Sequence, residues 1–251
     1  MLSVLLDVSQ HVTDVVMWIS VGAVVLLLGV IALICIKGKR RYDAKHIAAA
    51  GICVSLSFAL SYAKISPLQY GGSITLASFV PVLIYAYVYG IADGFLAGII
   101  HGLLNFISGP YILTGATFLL DYILAFASIG LMGFARKFTK KITFNVVLGA
   151  LLVYAARFLF HWVSGIIYFA HNSVWVDLPA WALRNGALYS FIYQCVYVPA
   201  DCAICAVVLY LLAKFKVLDR LINIIRPKPK ACSAEQTDQN ETPSDDPKQK
   251  Q

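Results

Sequence analysis

Long apolar stretches separated by short polar segments dominate the pattern of this chain. Residues 15–36 carry no charged side chain, and about 20 apolar residues are enough for a helix to cross the ~30 Å hydrocarbon core of a bilayer. Six further apolar stretches follow, at 46–63, 74–90, 94–108, 113–135, 144–169 and 185–213. The third of these six is short, so a re-entrant segment remains an alternative there. Counted as spans, the seven stretches predict an all-α integral membrane protein.

The first stretch differs from a cleaved signal peptide in its length and in the charges around it. Signal peptides are shorter and carry basic residues before the apolar run. Here Asp7 and Asp14 precede the stretch, and the basic segment 37–41 (KGKRR) follows it. We therefore expect a membrane helix with its N-terminus outside the cell.

The positions of the basic residues support this topology. Charged residues make up only 13% of the chain, against about 25% in soluble domains. The net charge of +7 would suit a nucleic-acid partner in a soluble protein, but Lys and Arg concentrate in the cytoplasmic loops of membrane proteins. With segment 37–45 inside, 17 of the 20 basic residues fall inside, the exceptions being Lys64, Arg157 and Arg184. We expect a multi-pass plasma-membrane protein with a cytoplasmic C-terminus and no nucleic-acid partner.

The chain divides into three predicted regions. Residues 1–42 hold the extra first helix and a basic linker, 43–214 form the membrane domain, and 215–251 form a cytoplasmic tail. Positions 227–251 contain no aromatic residue and no Val, Ile or Leu, which leaves too little apolar surface for folding. The six cysteines lack disulfide or metal-ligand spacing. No nucleotide-binding motif or nucleophile–base pattern is present in the sequence, so we expect no metal, no cofactor and no enzymatic activity.

A few ionisable and polar side chains fall within the predicted spans, where inserting a charge costs roughly 2.5–3.5 kcal/mol. Such residues usually face a cavity or a partner. Arg157 and His161 are four residues apart and share one helix face, as do His101 and Asn105. The two pairs are therefore candidates for a polar site inside the membrane domain.

Structural explanations for these residues stay open. Asp121 and Arg157 would serve as an interhelical ion pair, and His161 as a hydrogen-bonded core histidine. Asp201 lies beside Pro199 and would bond the backbone group that the proline leaves unpaired.

Shared depth favours a binding site over these separate roles. Four polar residues are predicted in the outer half of the membrane: Asp121, Arg157, His161 and Gln194. The aromatic residues around them are Tyr122, Trp162, Tyr168, Tyr189 and Tyr193. A carboxylate supplies countercharge, and aromatic rings supply stacking and cation–π contacts. The combination is typical of a site for a flat, cationic, partly aromatic molecule, and it does not separate transport from sensing.

Three segments in the same order resemble a known family. They are 108–133 (SGPYILTGATFLLDYILAFASIGLMG), 157–168 (RFLFHWVSGIIY) and 189–194 (YSFIYQ). Together they are similar to the thiamine-specific substrate-binding S-components (ThiT/YuaJ-like) of energy-coupling-factor vitamin transporters. The resemblance runs from about Asp43 to Lys214. It implies a six-helix S-component bundle, to which this chain adds one N-terminal transmembrane helix.

The resemblance also implies which residues bind the substrate. In the family, the substrate contacts an acidic–aromatic pair on the fourth core helix. It also contacts a basic residue, a histidine and a glycine on the fifth core helix, and a tyrosine and an amide on the sixth. Each of these residues matches a position in this chain. With two further candidates, the expected set is His101, Asp121, Tyr122, Arg157, His161, Gly165, Tyr168, Tyr189 and Gln194. Asp121 replaces a family glutamate and Gln194 a family asparagine. Gly72 and His101 stand where the family has tryptophans, so those stacking groups are missing or come from Tyr70, Tyr111 or Trp181.

Partners and a transport cycle are implied in the same way. S-components dock on a shared transmembrane coupling protein that carries two ATPase subunits, using small residues on the first core helix. Gly51, Ser55 and Ala59 form such a ladder here, and small residues allow close helix approach in lipid. Segment 65–73, with Gly71–Gly72 as its hinge, would cover the site from outside. The subunit would then topple in the membrane and release its ligand inside.

Thiamine captured from outside is the expected substrate, with a thiamine precursor or another aromatic vitamin as alternatives. A second hypothesis is a stand-alone secondary transporter of a small organic cation, in which Asp121, Arg157 and His161 relay protons. A third is a non-transport membrane protein, such as an intramembrane enzyme or an assembly factor.

Overall fold

The computed structural model describes residues 43–68, 72–109, 114–171 and 185–225, together with single positions 15, 18, 19, 22 and 26. Most of the predicted first span 15–36, the basic segment 37–41 and the tail 227–251 lie outside the described residues. The division of the chain into three regions therefore stays a prediction.

Between residues 43 and 225, the described part of the chain contains seven helices and one hairpin. The helices are α1 Ala44–Ser61, α2 Val80–Tyr89, α3 Ile91–Ser108, α4 Gly115–Lys137, α5 Ile142–His171, α6 Gly186–Lys214 and α7 Val217–Ile225. Between α1 and α2, strand β1 (Lys64–Pro67) pairs antiparallel with β2 (Ser73–Thr75). Five helices, α1 and α3 to α6, are long and apolar enough to cross a membrane. The prediction of an all-α membrane protein is confirmed.

Two predicted boundaries change in the structure. The stretch 74–90 does not form a full span, because β2 and a turn occupy its first part and α2 has only 10 residues, about 15 Å of helix. The stretch predicted at 94–108 begins earlier, at Ile91, and its 18 residues reach the length of a span. Helix α7 was not predicted; Leu218 and Ile222 are buried, four residues apart on one helix face.

Helix α4 is irregular where it approaches the centre of the bundle. Its backbone passes from an α-helical turn into a π-helical segment at Leu119–Leu124, and then through Ala125–Ala127 into a 3-10 segment at Ser128–Lys137. A π-helical turn contains an extra residue, and such turns are frequent at functional sites. Asp121 and Tyr122 both lie on this segment.

Glycines on α3 bring its backbone against this irregular helix. A Cβ atom on Gly98 would overlap the carbonyl oxygen of Phe126, and one on Gly102 would overlap the carbonyl oxygen of Tyr122. Small residues permit such backbone contact between membrane helices. The two glycines thus set the position of Tyr122 and Phe126 relative to α3.

Asp201 attaches the hairpin to the helical bundle. Its Oδ1 accepts hydrogen bonds from the Thr75 amide at 3.0 Å and the Thr75 hydroxyl at 2.7 Å, and its Oδ2 accepts one from the Tyr154 hydroxyl at 2.8 Å. The expected bond from Asp201 to the backbone near Pro199 is therefore wrong. This buried carboxylate instead joins β2 to α5 and α6.

The proposed docking ladder lies on an open face of α1. Gly51, Ser55 and Ala59 are all exposed, and no heavy atom of another part of the described chain lies within 4 Å of a Cβ built on Gly51. Their role in docking stays a prediction.

We predict that Asp201→Asn lowers the free energy of unfolding by about 1–3 kcal/mol, because one acceptor facing the Thr75 or Tyr154 donors becomes an N–H group. Unfolding of the purified protein in detergent measures this loss, and hydrogen exchange should accelerate at residues 72–76. Cys195→Ser, at an exposed position of the same helix, is the control and should change neither value. Equal stability of Asp201→Asn and the unmodified protein would contradict the anchoring role.

Candidate ligand-binding site

A cavity of about 220 Å³ lies between the hairpin and helices α3 to α6. Eight of the nine predicted substrate-binding residues line it: His101, Asp121, Tyr122, Arg157, His161, Gly165, Tyr168 and Gln194. The structure thus brings together residues from four helices that are far apart in the sequence. Lys64, Gly72, Ser73 and Thr75 of the hairpin region also line the cavity. Gly71, one of the two predicted hinge residues, lies outside the described residues, and the covering role of segment 65–73 stays a prediction.

Tyr189 is the predicted residue that does not line the cavity. Its ring packs edge-to-face on Phe169, with centroids 4.6 Å apart, and Phe169 does line the cavity. One helical turn later, Tyr193 reaches the cavity, and its hydroxyl accepts a hydrogen bond from the Gly72 amide at 3.0 Å. Tyr193 therefore occupies the cavity position on α6 that was expected for Tyr189.

A chain of hydrogen bonds crosses one wall of the cavity. The Arg157 Nε donates to His161 Nε2 at 3.1 Å, and His161 Nδ1 lies 2.7 Å from Asp121 Oδ1. Because Nε2 accepts from the guanidinium, Nδ1 carries the ring proton and donates to the carboxylate. The Ser164 hydroxyl donates to Asp121 Oδ2 at 2.5 Å. His161 thus links Asp121 to Arg157, and it is a member of this polar chain rather than an isolated core histidine.

Arg157 is held over two phenylalanine rings. Its guanidinium carbon lies 4.2 Å from the centroid of Phe79 and 4.8 Å from that of Phe126. Cation–π attraction of this kind is stronger away from water, and it helps to stabilise a charge at membrane depth. Both phenylalanines line the cavity.

Three buried polar atoms of the cavity have no hydrogen-bond partner among the described residues: His101 Nδ1, Arg157 Nη1 and Gln194 Oε1. Leaving a buried polar group unsatisfied costs about 1–3 kcal/mol. The other end of the Gln194 amide is satisfied, since its Nε2 donates to the His161 carbonyl at 3.2 Å. Two donors and one acceptor therefore remain for a ligand with complementary groups.

Glycines fit the walls of the cavity closely at two positions. A Cβ on Gly165 would overlap the Ser190 hydroxyl, so this glycine permits α5 and α6 to approach each other. A Cβ on Gly72 would overlap the Tyr193 hydroxyl and lie 3.2 Å from Tyr197, so a tryptophan at position 72 does not fit this arrangement. The alternative stacking residues Tyr70, Tyr111 and Trp181 lie outside the described residues.

Sequence reasoning missed several residues of the cavity. Phe79, Phe126, Tyr197 and Asp201 line it, and none of them was predicted to bind substrate. Tyr197 follows Gln194 by three residues and so shares its helix face, a signal present in the sequence. In the described part of the chain no group of three or more His, Cys, Asp or Glu side chains is arranged to hold a metal ion.

Comparisons with known proteins agree with the resemblance. The sequence profile of the thiamine transporter protein family (Thia_YuaJ) matches residues 47–219. The thiamine transporter ThiT of Bacillus subtilis (strain 168) is 32% identical over 166 residues, which cover 61% of this chain and 79% of that protein. A solved structure of ThiT from Listeria monocytogenes aligns with a TM-score of 0.59 at 20% identity, over 72% of this chain and 97% of that one.

The solved structure supports the fold, and the match to the family profile covers more than half of the chain. The protein therefore belongs to the thiamine transporter protein family (Thia_YuaJ), a family of membrane transporters and not of enzymes.

Proposed function

We propose that this protein is the thiamine-binding membrane subunit of an energy-coupling-factor importer. It takes up thiamine in the cavity under the hairpin and delivers it to the cytoplasm when docked on a coupling protein that carries two ATPases. The N-terminus lies outside and the C-terminus inside, as the distribution of basic residues predicts. The observation that carries the proposal is the wall formed by Asp121, His161 and Arg157, inside a cavity lined by aromatic rings.

The geometry suits a thiamine-like ligand in three respects. The Asp121 side chain is 25% exposed, so its carboxyl oxygens can receive a cationic or amino-bearing ring. Gln194 offers an acceptor oxygen that has no partner among the residues described. Tyr122, Tyr168 and Tyr193 line the same cavity, and aromatic faces bind flat rings by stacking and positive charge by cation–π attraction.

We predict that thiamine quenches the tryptophan fluorescence of the purified protein and that Asp121→Asn weakens its binding about 10- to 100-fold, since a charge-assisted hydrogen bond contributes about 1.5–3 kcal/mol. Asp219→Asn, on α7 and away from the cavity lining, is the matched control and should bind as the unmodified protein does. The panel includes thiamine phosphates and the pyrimidine precursor. No binding of any of these ligands would refute the proposal.

Docking is proposed to use the exposed small residues of α1. We predict that Gly51→Leu abolishes co-purification with the coupling module and ATP-dependent uptake, because a larger side chain separates the two helices. Thiamine binding by the isolated subunit should not change, since Gly51 lies outside the cavity lining. Ile52→Leu, which keeps side-chain volume at an exposed neighbour, is the control. Full uptake by Gly51→Leu would show that docking occurs elsewhere.

The polar chain also supports a second candidate, a proton-coupled transporter of organic cations. His161 and Asp121 share a hydrogen bond along which a proton can pass, and Arg157 donates to the same histidine. Proteoliposomes that contain only this protein separate the two functions. Uptake driven by a proton gradient without ATPase subunits would support the second candidate, and its absence would support the first.

A further inference from the structure

His101 differs from an ordinary core histidine. It is fully buried, with 0% exposure, and it lines the cavity, yet its Nδ1 has no hydrogen-bond partner in the part of the chain that the structure describes. Its ring makes edge contacts with Phe79 at 5.5 Å and with Phe126 at 5.2 Å between centroids. A histidine kept for packing alone is expected to have its buried nitrogens satisfied.

Asn105 determines which ring nitrogen of His101 carries the proton. Its side-chain nitrogen donates to the main-chain oxygen of His101 at 2.9 Å and lies 3.4 Å from His101 Nε2. An amide N–H group donates and does not accept, so Nε2 is the acceptor and Nδ1 holds the hydrogen. The unpartnered atom of His101 is therefore a hydrogen-bond donor.

A second unpartnered donor lies around the same two phenylalanine rings. Arg157 Nη1 is buried and has no hydrogen-bond partner within the described ranges. Its guanidinium lies over Phe79 and Phe126, the rings that His101 contacts edge-on. Two donors, one of them positively charged, favour an acceptor atom and disfavour a second cation. This part of the cavity thus differs from the Asp121 side, which receives positive charge and donors.

Building on the function proposed above, we propose that His101 and Arg157 bind a hydrogen-bond acceptor of the ligand, and that His101 makes the cavity selective for ligands that carry it. In a thiamine-like molecule this acceptor is either the hydroxyl oxygen of the side chain or a nitrogen of the pyrimidine ring. Both sources offer the same chemistry to Nδ1, and the ligand panel below distinguishes them.

The test combines variants of His101 with variants of the ligand. The ligands are thiamine, an analogue with hydrogen in place of the hydroxyl group, and analogues with CH in place of one pyrimidine nitrogen. His101→Phe keeps the ring and removes the donor, so it should weaken thiamine binding about tenfold. The His101→Phe variant should bind one of the analogues as tightly as it binds thiamine. The atom that this analogue lacks is then the acceptor.

Two conservative variants separate hydrogen bonding from packing. His101→Asn places an amide nitrogen near the position of Nδ1 and should recover the preference for thiamine over that analogue. His101→Gln places its amide nearer to the position of Nε2 and should not recover this preference. If the phenylalanine variant fails to give a cooperative unfolding transition, the asparagine and glutamine variants provide the same comparison.

Each outcome supports or overturns the inference. Equal losses for thiamine and every analogue in His101→Phe, or equal recovery by Asn and Gln, would show that His101 only shapes the cavity and would overturn the inference alone. Failure of the unmodified protein to bind thiamine and all analogues would overturn the proposed function together with this inference.

Discussion

The cost of placing charges in a bilayer is the constraint on which this structure depends. Arg157 and Asp121 both lie on membrane helices, and each is stabilised by a partner from within the protein. His161 links the two, and the rings of Phe79 and Phe126 lie under the guanidinium. Because α4 and α5 meet through this chain, the groups that satisfy the charges also form a wall of the cavity.

Asp201 is a second carboxylate on a membrane helix that needs partners from within the protein. All its hydrogen bonds go to groups that hold the hairpin and α5 against α6. By contrast, His101, Arg157 and Gln194 each retain a cavity atom that no described residue pairs with. Saturated polar groups thus fix the architecture, and unsaturated ones mark where a ligand is expected. A site of this kind lowers the stability of the ligand-free protein, and bound ligand restores it.

The membrane class was predictable from the sequence, because long uncharged stretches are a strong signal. Rare polar residues within those stretches led to nine candidate binding residues, and eight of them line the cavity. The limits of α2 were not predictable, since 74–90 is apolar throughout and its first part still forms a strand and a turn. The exchange of Tyr189 for Tyr193 at the cavity reflects helix rotation, which sequence spacing alone does not determine. Asp201 was misinterpreted because its partners, Thr75 and Tyr154, are distant in the sequence and meet only in the folded chain.

We propose that the unpaired polar atoms of the cavity and the wall that contains Asp121 bind thiamine. The most direct test is the thermal unfolding of the purified full-length protein as thiamine is added. At one hundred times Kd the unmodified protein should be stabilised by about 2.7 kcal/mol. At the same concentration Asp121→Asn, with binding weakened about 10- to 100-fold, should be stabilised by only about 0.4–1.4 kcal/mol. An unfolding temperature that does not respond to thiamine, or that rises equally in the variant, would contradict the account.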